Sequence, residues 1–151
     1  MDFVTICQAL GMAISAGLVI GVALPAVMPP WGAAAGATPL GIVAGVMILS
    51  GNGEEIWPAF VTGPLGAGLA AVVSHDVATG AARRAGAGTT EVEGSASVGI
   101  AAIIVVAALV VAAISLVAAP VALAVLVGLA WIWVTRRKQA ERKHEGLRVL
   151  R

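Results

Sequence analysis

Apolar positions in this chain fall in long blocks, interrupted by short polar marks. The block from Val98 to Thr135 contains no charged residue, and its only polar side chains are Ser115 and Thr135. As one helix it would be about 57 Å long, against a bilayer core of about 30 Å. It therefore predicts two crossings, about Val98–Val117 and Val121–Thr135, with a turn near Ala118-Ala119-Pro120. A second block runs from Phe3 to Met28. Pro25 is expected to kink or end that helix, and Pro29-Pro30 to stop it. No basic residue precedes this block, and it is longer than a signal-peptide core, so a retained first span is expected. Gly17 and Gly21 recur at the spacing that lets another backbone come close, and Gly41 and Gly45 repeat it.

The middle of the chain is less regular. Trp31 to Thr38 is rich in Gly and Ala and carries no charge. It reads as an interfacial or re-entrant piece, and Pro39 as the first turn of a short element from Leu40 to about Ser50. Ser50-Gly51-Asn52-Gly53 reads as a turn. Asn52 is expected to N-cap the following helix, with Glu55 completing a capping box. A third span is expected from about Glu54 to Thr79, with its first half made irregular by Pro58 and Pro64. The chain thus divides into an N-terminal transmembrane unit (residues 1–85), a polar linker (86–97), a helical hairpin (98–135) and a basic tail (136–151). The predicted fold is an all-α, multi-pass transmembrane bundle of about five segments, with broken or re-entrant helices in its N-terminal half.

Composition supports this class. The chain is 60% hydrophobic and 11% charged, with a mean hydropathy of +1.01. A soluble domain of 151 residues could not bury so much apolar surface. Net charge is +1, and no Lys or Arg precedes Arg83-Arg84; the other basic residues all follow Thr135. Basic flanks stay cytoplasmic, which predicts a plasma-membrane protein with its C-terminus inside and its N-terminus outside. If the short second element does not cross, the N-terminus moves inside. Trp57, Trp131, Trp133, Arg136, Arg137 and Lys138 read as membrane-interface residues. The tail is expected to lie on anionic lipids of the inner leaflet, with Gly146–Arg151 amphipathic enough to dock. No aromatic or folded readout module accompanies it, so nucleic acid is not an expected partner. Cys7 is the only cysteine, so no internal disulfide forms.

Few residues offer chemistry. Glu54 and Glu55 could attract cations at the mouth of a broken helix, or simply stabilise a helix start. His75 and Asp76 could relay protons or touch substrate, or mark a helix end near Arg83-Arg84. Adjacent helical residues point about 100° apart, so they do not form a ready metal pair. No nucleophile–base–orienter set, phosphate loop or His/Cys cluster occurs, so neither an enzyme, a metal nor a cofactor is expected. Trp31-Gly-Ala followed by Pro39-Leu40-Gly41, and Trp57-Pro-Ala followed by Pro64-Leu65-Gly66, form a weak repeat whose two copies enter from opposite faces, as inverted repeats do.

Three stretches carry a resemblance: Ala16-Gly17-Leu18 in the first span, Val77-Ala78-Thr79-Gly80-Ala81-Ala82-Arg83-Arg84-Ala85-Gly86, and the closing Gly146-Leu147-Arg148-Val149-Leu150-Arg151. Together they resemble the bacterial integral membrane family filed as domain of unknown function 4126. That family often carries an acidic residue followed by Asp-Lys-x-Pro, and here Glu54-Glu55-Ile56-Trp57-Pro58 stands in a comparable place without Asp-Lys. The resemblance implies a bacterial inner-membrane class and no activity. Two functional readings follow from the residues. One is a small homo-oligomeric transporter or channel. The other is a non-catalytic accessory or scaffold subunit of a larger membrane complex, held through its small-residue helix faces.

Overall fold

The computed structural model describes residues 2–24, 28–85, 93–118 and 120–148. They form helices α1 (Phe3–Ala23), α2 (Pro30–Gly51), α3 (Ala59–Gly63), α4 (Leu69–Ala85), α5 (Glu93–Val117) and α6 (Pro120–Arg148), with a widened π-helical turn at Pro64–Gly68 joining α3 to α4. Among the described residues, four helical stretches are long and apolar enough to cross a membrane: Phe3–Ala23, Pro30–Gly51, Ala59–Ala81 and Pro120–Gln139. A shorter apolar stretch, Ala101–Val117, lies within α5. This is an all-α, multi-pass membrane fold with about five segments.

Prolines set the boundaries of the first two helices. α1 stops at Ala23, and Leu24 is extended (φ −79°, ψ 145°) while its N–H still donates to Ile20 O. Leu24 precedes Pro25, and the residue before a proline is driven out of the helical region. Pro25 itself lies outside the described residues. Pro29 is extended in the same way, and Pro30 starts α2, where a missing N–H costs nothing.

The second segment corrects the sequence reading. Residues 31–38 are not re-entrant, and Pro39 does not start a helix. α2 runs unbroken for 22 residues with Pro39 inside it. In lipid every backbone polar group needs an internal partner, so losing one bond costs less than unwinding two turns. The Thr38 hydroxyl donates to Ala34 O at 2.8 Å within that turn. Ala33 and Ala37 are fully buried, which explains the small side chains that looked like a loop.

The Asn52 cap is also reversed. Asn52 closes α2, its Nδ2 donating to Ile48 O at 2.8 Å. Gly53 takes the left-handed conformation (φ 71°), and the Glu54 N–H donates to Leu49 O at 2.9 Å. Glu54 and Glu55 therefore follow a helix end, and the next helix begins only at Ala59. Pro64 does disturb the third span, as the widened turn at Pro64–Gly68. A proline lacks the N–H of the regular ladder, and a π turn absorbs the mismatch.

α1 is the hub, packed against every other helix. A Cβ added at Gly17 would meet the backbone of Ala67, with Ala67 Cα only 2.7 Å away. One at Gly21 would meet the Ser74 side chain and Ala71, whose Cα is 2.9 Å away. Gly11 holds the same relation to Ser115 on α5. A Cβ added at Gly41 on α2 would stand 2.9 Å from Gly63 O, and one at Gly45 3.1 Å from Ala59 Cβ. All four glycines with predicted packing roles thus meet other helices of the same chain.

The segments alternate in direction. The Asp2 N–H donates to Glu54 at 3.0 Å, and Gln8 Nε2 donates to Leu116 O at 3.0 Å. One end of the bundle therefore holds Asp2, Glu54, Glu55 and the α5–α6 turn. The other holds the starts of α2 and α5, the end of α4 with Arg83-Arg84, and Arg136–Lys138. The C-terminal pair is joined by a turn at residues 118–120, of which Ala119 is not described. Yet α5 leans mainly on α1, and α6 on α1 and α4, more than on each other. Helix α5 begins at Glu93, inside the expected linker; residues 86–92 lie outside the described residues. α6 continues as one helix through Arg148, so the basic tail prolongs the last span. The closing residues 149–151 are not described.

Gly17→Ala is expected to destabilise the protein by about 1–3 kcal/mol, because its methyl must displace helix backbone. Gly128→Ala, where an added Cβ meets nothing within 4 Å, should be neutral or stabilising by up to about 1 kcal/mol. Thermal melts in detergent compare the two; equal melting temperatures would mean that α1 and the Pro64–Gly68 turn do not touch at Gly17.

Candidate functional site

The four ionisable residues singled out from sequence do not come together. Glu54 is half-buried and accepts from the Asp2 N–H. Glu55 is exposed, and its Oε2 accepts from Trp57 Nε1 at 2.9 Å. Both sit at the Asp2 end. His75 and Asp76 lie near the other end of the third span, about 26 Å of helix from Ala59.

His75 and Asp76 also part from each other. His75 is 2% exposed, and neither ring nitrogen has a hydrogen-bond partner among the described residues. Buried polar groups are nearly always paired, so this imidazole is an exception in the bundle. Asp76, one position further round α4, lines a cavity of about 750 Å³ between α2, α4 and α6. This is within the usual range for a small-molecule site.

The cavity has a sharp polarity gradient. Its wall is mostly apolar, with Leu65, Leu69 and Val72 from the third span and Leu126 from α6, and the one hydroxyl on it, that of Thr38, is spent on Ala34 O. At the basic end it is lined by Trp31, Asp76, Trp133 and Arg137. The Arg137 guanidinium carbon lies 5.0 Å from the Trp133 ring centroid, a cation–π distance. One helical turn separates these two residues, so both project on the same side of α6. Among the described residues no ion pair joins Asp76 to Arg137, although both line one space.

Sequence reading assigned Trp133 and Arg137 to the membrane interface and placed Trp31 at the start of an interfacial or re-entrant piece and of a repeat. The signal available was the i, i+4 spacing of Trp133 and Arg137. Nothing local could connect them to Asp76, which is on another helix. Trp57 and Trp131 are exposed, as are Arg136 and Lys138, and none of these lines the cavity. Among the described residues, no three His, Cys, Asp or Glu side chains gather in a way that could hold a metal ion.

Removing an unsatisfied buried polar group should stabilise a bundle. His75→Leu is therefore expected to raise stability by about 1 kcal/mol or more, read as a higher melting temperature in detergent. A lower melting temperature would mean that the imidazole makes a bond on which the fold depends.

In comparisons with known proteins, the chain matches no family model, no curated protein and no solved structure.

Proposed function

We propose that this multi-pass membrane protein is a small transporter that takes an amphiphilic molecule into the cavity between α2, α4 and α6. One observation carries the reading: an apolar wall ends in an acid, a base and two tryptophans. A purely hydrophilic ion would find no partners along most of that wall. A purely apolar solute would leave Asp76 and Arg137 unused.

The weak repeat adds support. The two Pro-Leu-Gly pieces lie side by side, with Gly41 facing Gly63 and Ala67. Pro64 sits in a widened turn while Pro39 sits in regular helix, so the third span is the element with backbone slack. By the positive-inside rule the charged mouth faces the cytoplasm, in a bacterial inner membrane, with the N-terminus outside. Membership of the domain of unknown function 4126 family belongs to the same proposal and adds no activity to it.

A second reading, as an accessory subunit, has one observation in its favour. Most of α6 is uncovered within the chain, including Val127 and Trp131. Such a helix suits contact with another subunit or a second copy. Gly17, Gly21, Gly41 and Gly45 are already occupied and do not serve that contact.

Flux of a fluorescent amphiphilic dye across reconstituted vesicles tests the transport reading. Wild type should exceed protein-free vesicles, and Ala130→Phe, which fills the cavity from α6, should lose most of that excess. Glu54→Gln and Glu55→Gln, remote from the cavity, should keep at least half of it. Equal flux in wild type and Ala130→Phe would overturn the proposal.

A further inference from the structure

The depth of the cavity and the charges at its mouth narrow the class of ligand. Mid-depth in the bundle can be located from the helices themselves. Ala13, the middle residue of α1, lies 3.1 Å from a Cβ built at Gly66. Gly41, near the middle of α2, packs on Gly63 and Ala67. The Pro64–Gly68 turn therefore lies near mid-depth of the bundle. From Leu65 to Asp76 is about 16 Å of helix rise, close to half of the ~30 Å hydrocarbon core. The cavity thus runs from mid-depth of the bundle to its basic end, a length that matches one leaflet. Its apolar wall occupies acyl-chain depth, and Asp76 and Arg137 stand at headgroup depth beside Trp31 and Trp133, where interfacial aromatics belong.

The mouth carries both signs of charge. Arg137 alone would accept any phosphate, and would favour a headgroup with net negative charge. Asp76 at the same mouth repels such a headgroup and offers a carboxylate to a cation. Both line the cavity, no ion pair joins them among the described residues, and the Trp133 ring that Arg137 lies over takes none of its N–H donors as a carboxylate would. A headgroup that satisfies both carries a phosphate and, next to it, a cationic donor. A primary ammonium donates N–H bonds to a carboxylate; a trimethylated ammonium has none to give.

We infer that the amphiphile is a phospholipid with a primary-amine headgroup, drawn from the leaflet at the basic end. Its phosphate meets Arg137, its ammonium meets Asp76, and one acyl chain lies along Leu65, Leu69, Val72 and Leu126. This rests on the amphiphile-carrying reading above and assigns it a substrate.

Native mass spectrometry of the purified protein, titrated with phosphatidylethanolamine, phosphatidylcholine or phosphatidylglycerol, tests the inference. Wild type should favour phosphatidylethanolamine over the other two by about tenfold, as a charge-assisted hydrogen bond provides. Asp76→Asn should bring that ratio close to one. Arg137→Gln should weaken phosphatidylethanolamine and phosphatidylcholine alike. Ala130→Phe should lose retained lipid of every kind, and Ala34→Phe, which fills the cavity from the α2 wall, repeats the test should the first variant fold poorly. If filling the cavity removes lipid but the headgroup ratio is near one in wild type, or unchanged in Asp76→Asn, the headgroup inference fails and the amphiphile reading stands. If neither filling variant loses lipid, the amphiphile reading fails and the headgroup inference falls with it.

Discussion

The structure depends on the close approach of α1 to the third span. In lipid, burying apolar side chains gains little, because acyl chains are as apolar as leucine. Helices must instead gain van der Waals contact, and that contact is largest where side chains are smallest. Gly17 and Gly21 let α1 sit directly on the backbone at Ala67 and Ala71. Around this contact lies a core of alanines, Ala13, Ala33, Ala37, Ala67 and Ala71, with Ile20 and Leu24 packed against it. The abundance of Gly and Ala in this chain is therefore a packing device.

The cavity is a consequence of how the other helices gather on that pair. α2 packs on α1 and on the third span; α6 packs on α1 and α4. α2 and α6 are not packed on one another, so α4 forms the floor of a groove between them. The residues facing that groove differ from those facing α1. On the third span, the Ala67, Ala71 and Ser74 side meets α1, and the Leu65, Leu69, Val72 and Asp76 side meets the groove. His75 falls on neither and is enclosed. Adjacent residues on one helix thus have unlike surroundings: a buried imidazole without a hydrogen-bond partner among the described residues, and a carboxylate at a cavity mouth.

The acidic residues at the opposite end have a quieter role. Glu54 and Glu55 bind the chain's own Asp2 N–H and Trp57 indole, which ties the start of α1 to the loop after α2. They follow the end of α2, and Asn52 and Gly53 provide the closing turn there. A capping motif read from spacing has no direction until it is known which neighbouring segment is helical. Here the helix lay before Asn52.

The sequence by itself determined the class of the protein and its plan of about five membrane segments. Hydropathy over about 20 residues is enough for this, because lipid demands long, internally bonded, apolar helices. It also marked the glycines, since close helix approach requires them at one spacing. It could not decide whether Trp31–Thr38 formed a loop or a helix, because Gly and Ala serve both, and only their burial against α1 and the third span distinguishes the two. Nor could it place Asp76 and Arg137 on one cavity. Those residues are on different helices, far apart in the chain, and share a cavity only because α6 packs on α1 and α4 while leaving α2 uncovered. That is a property of three-body packing, which no local pattern encodes.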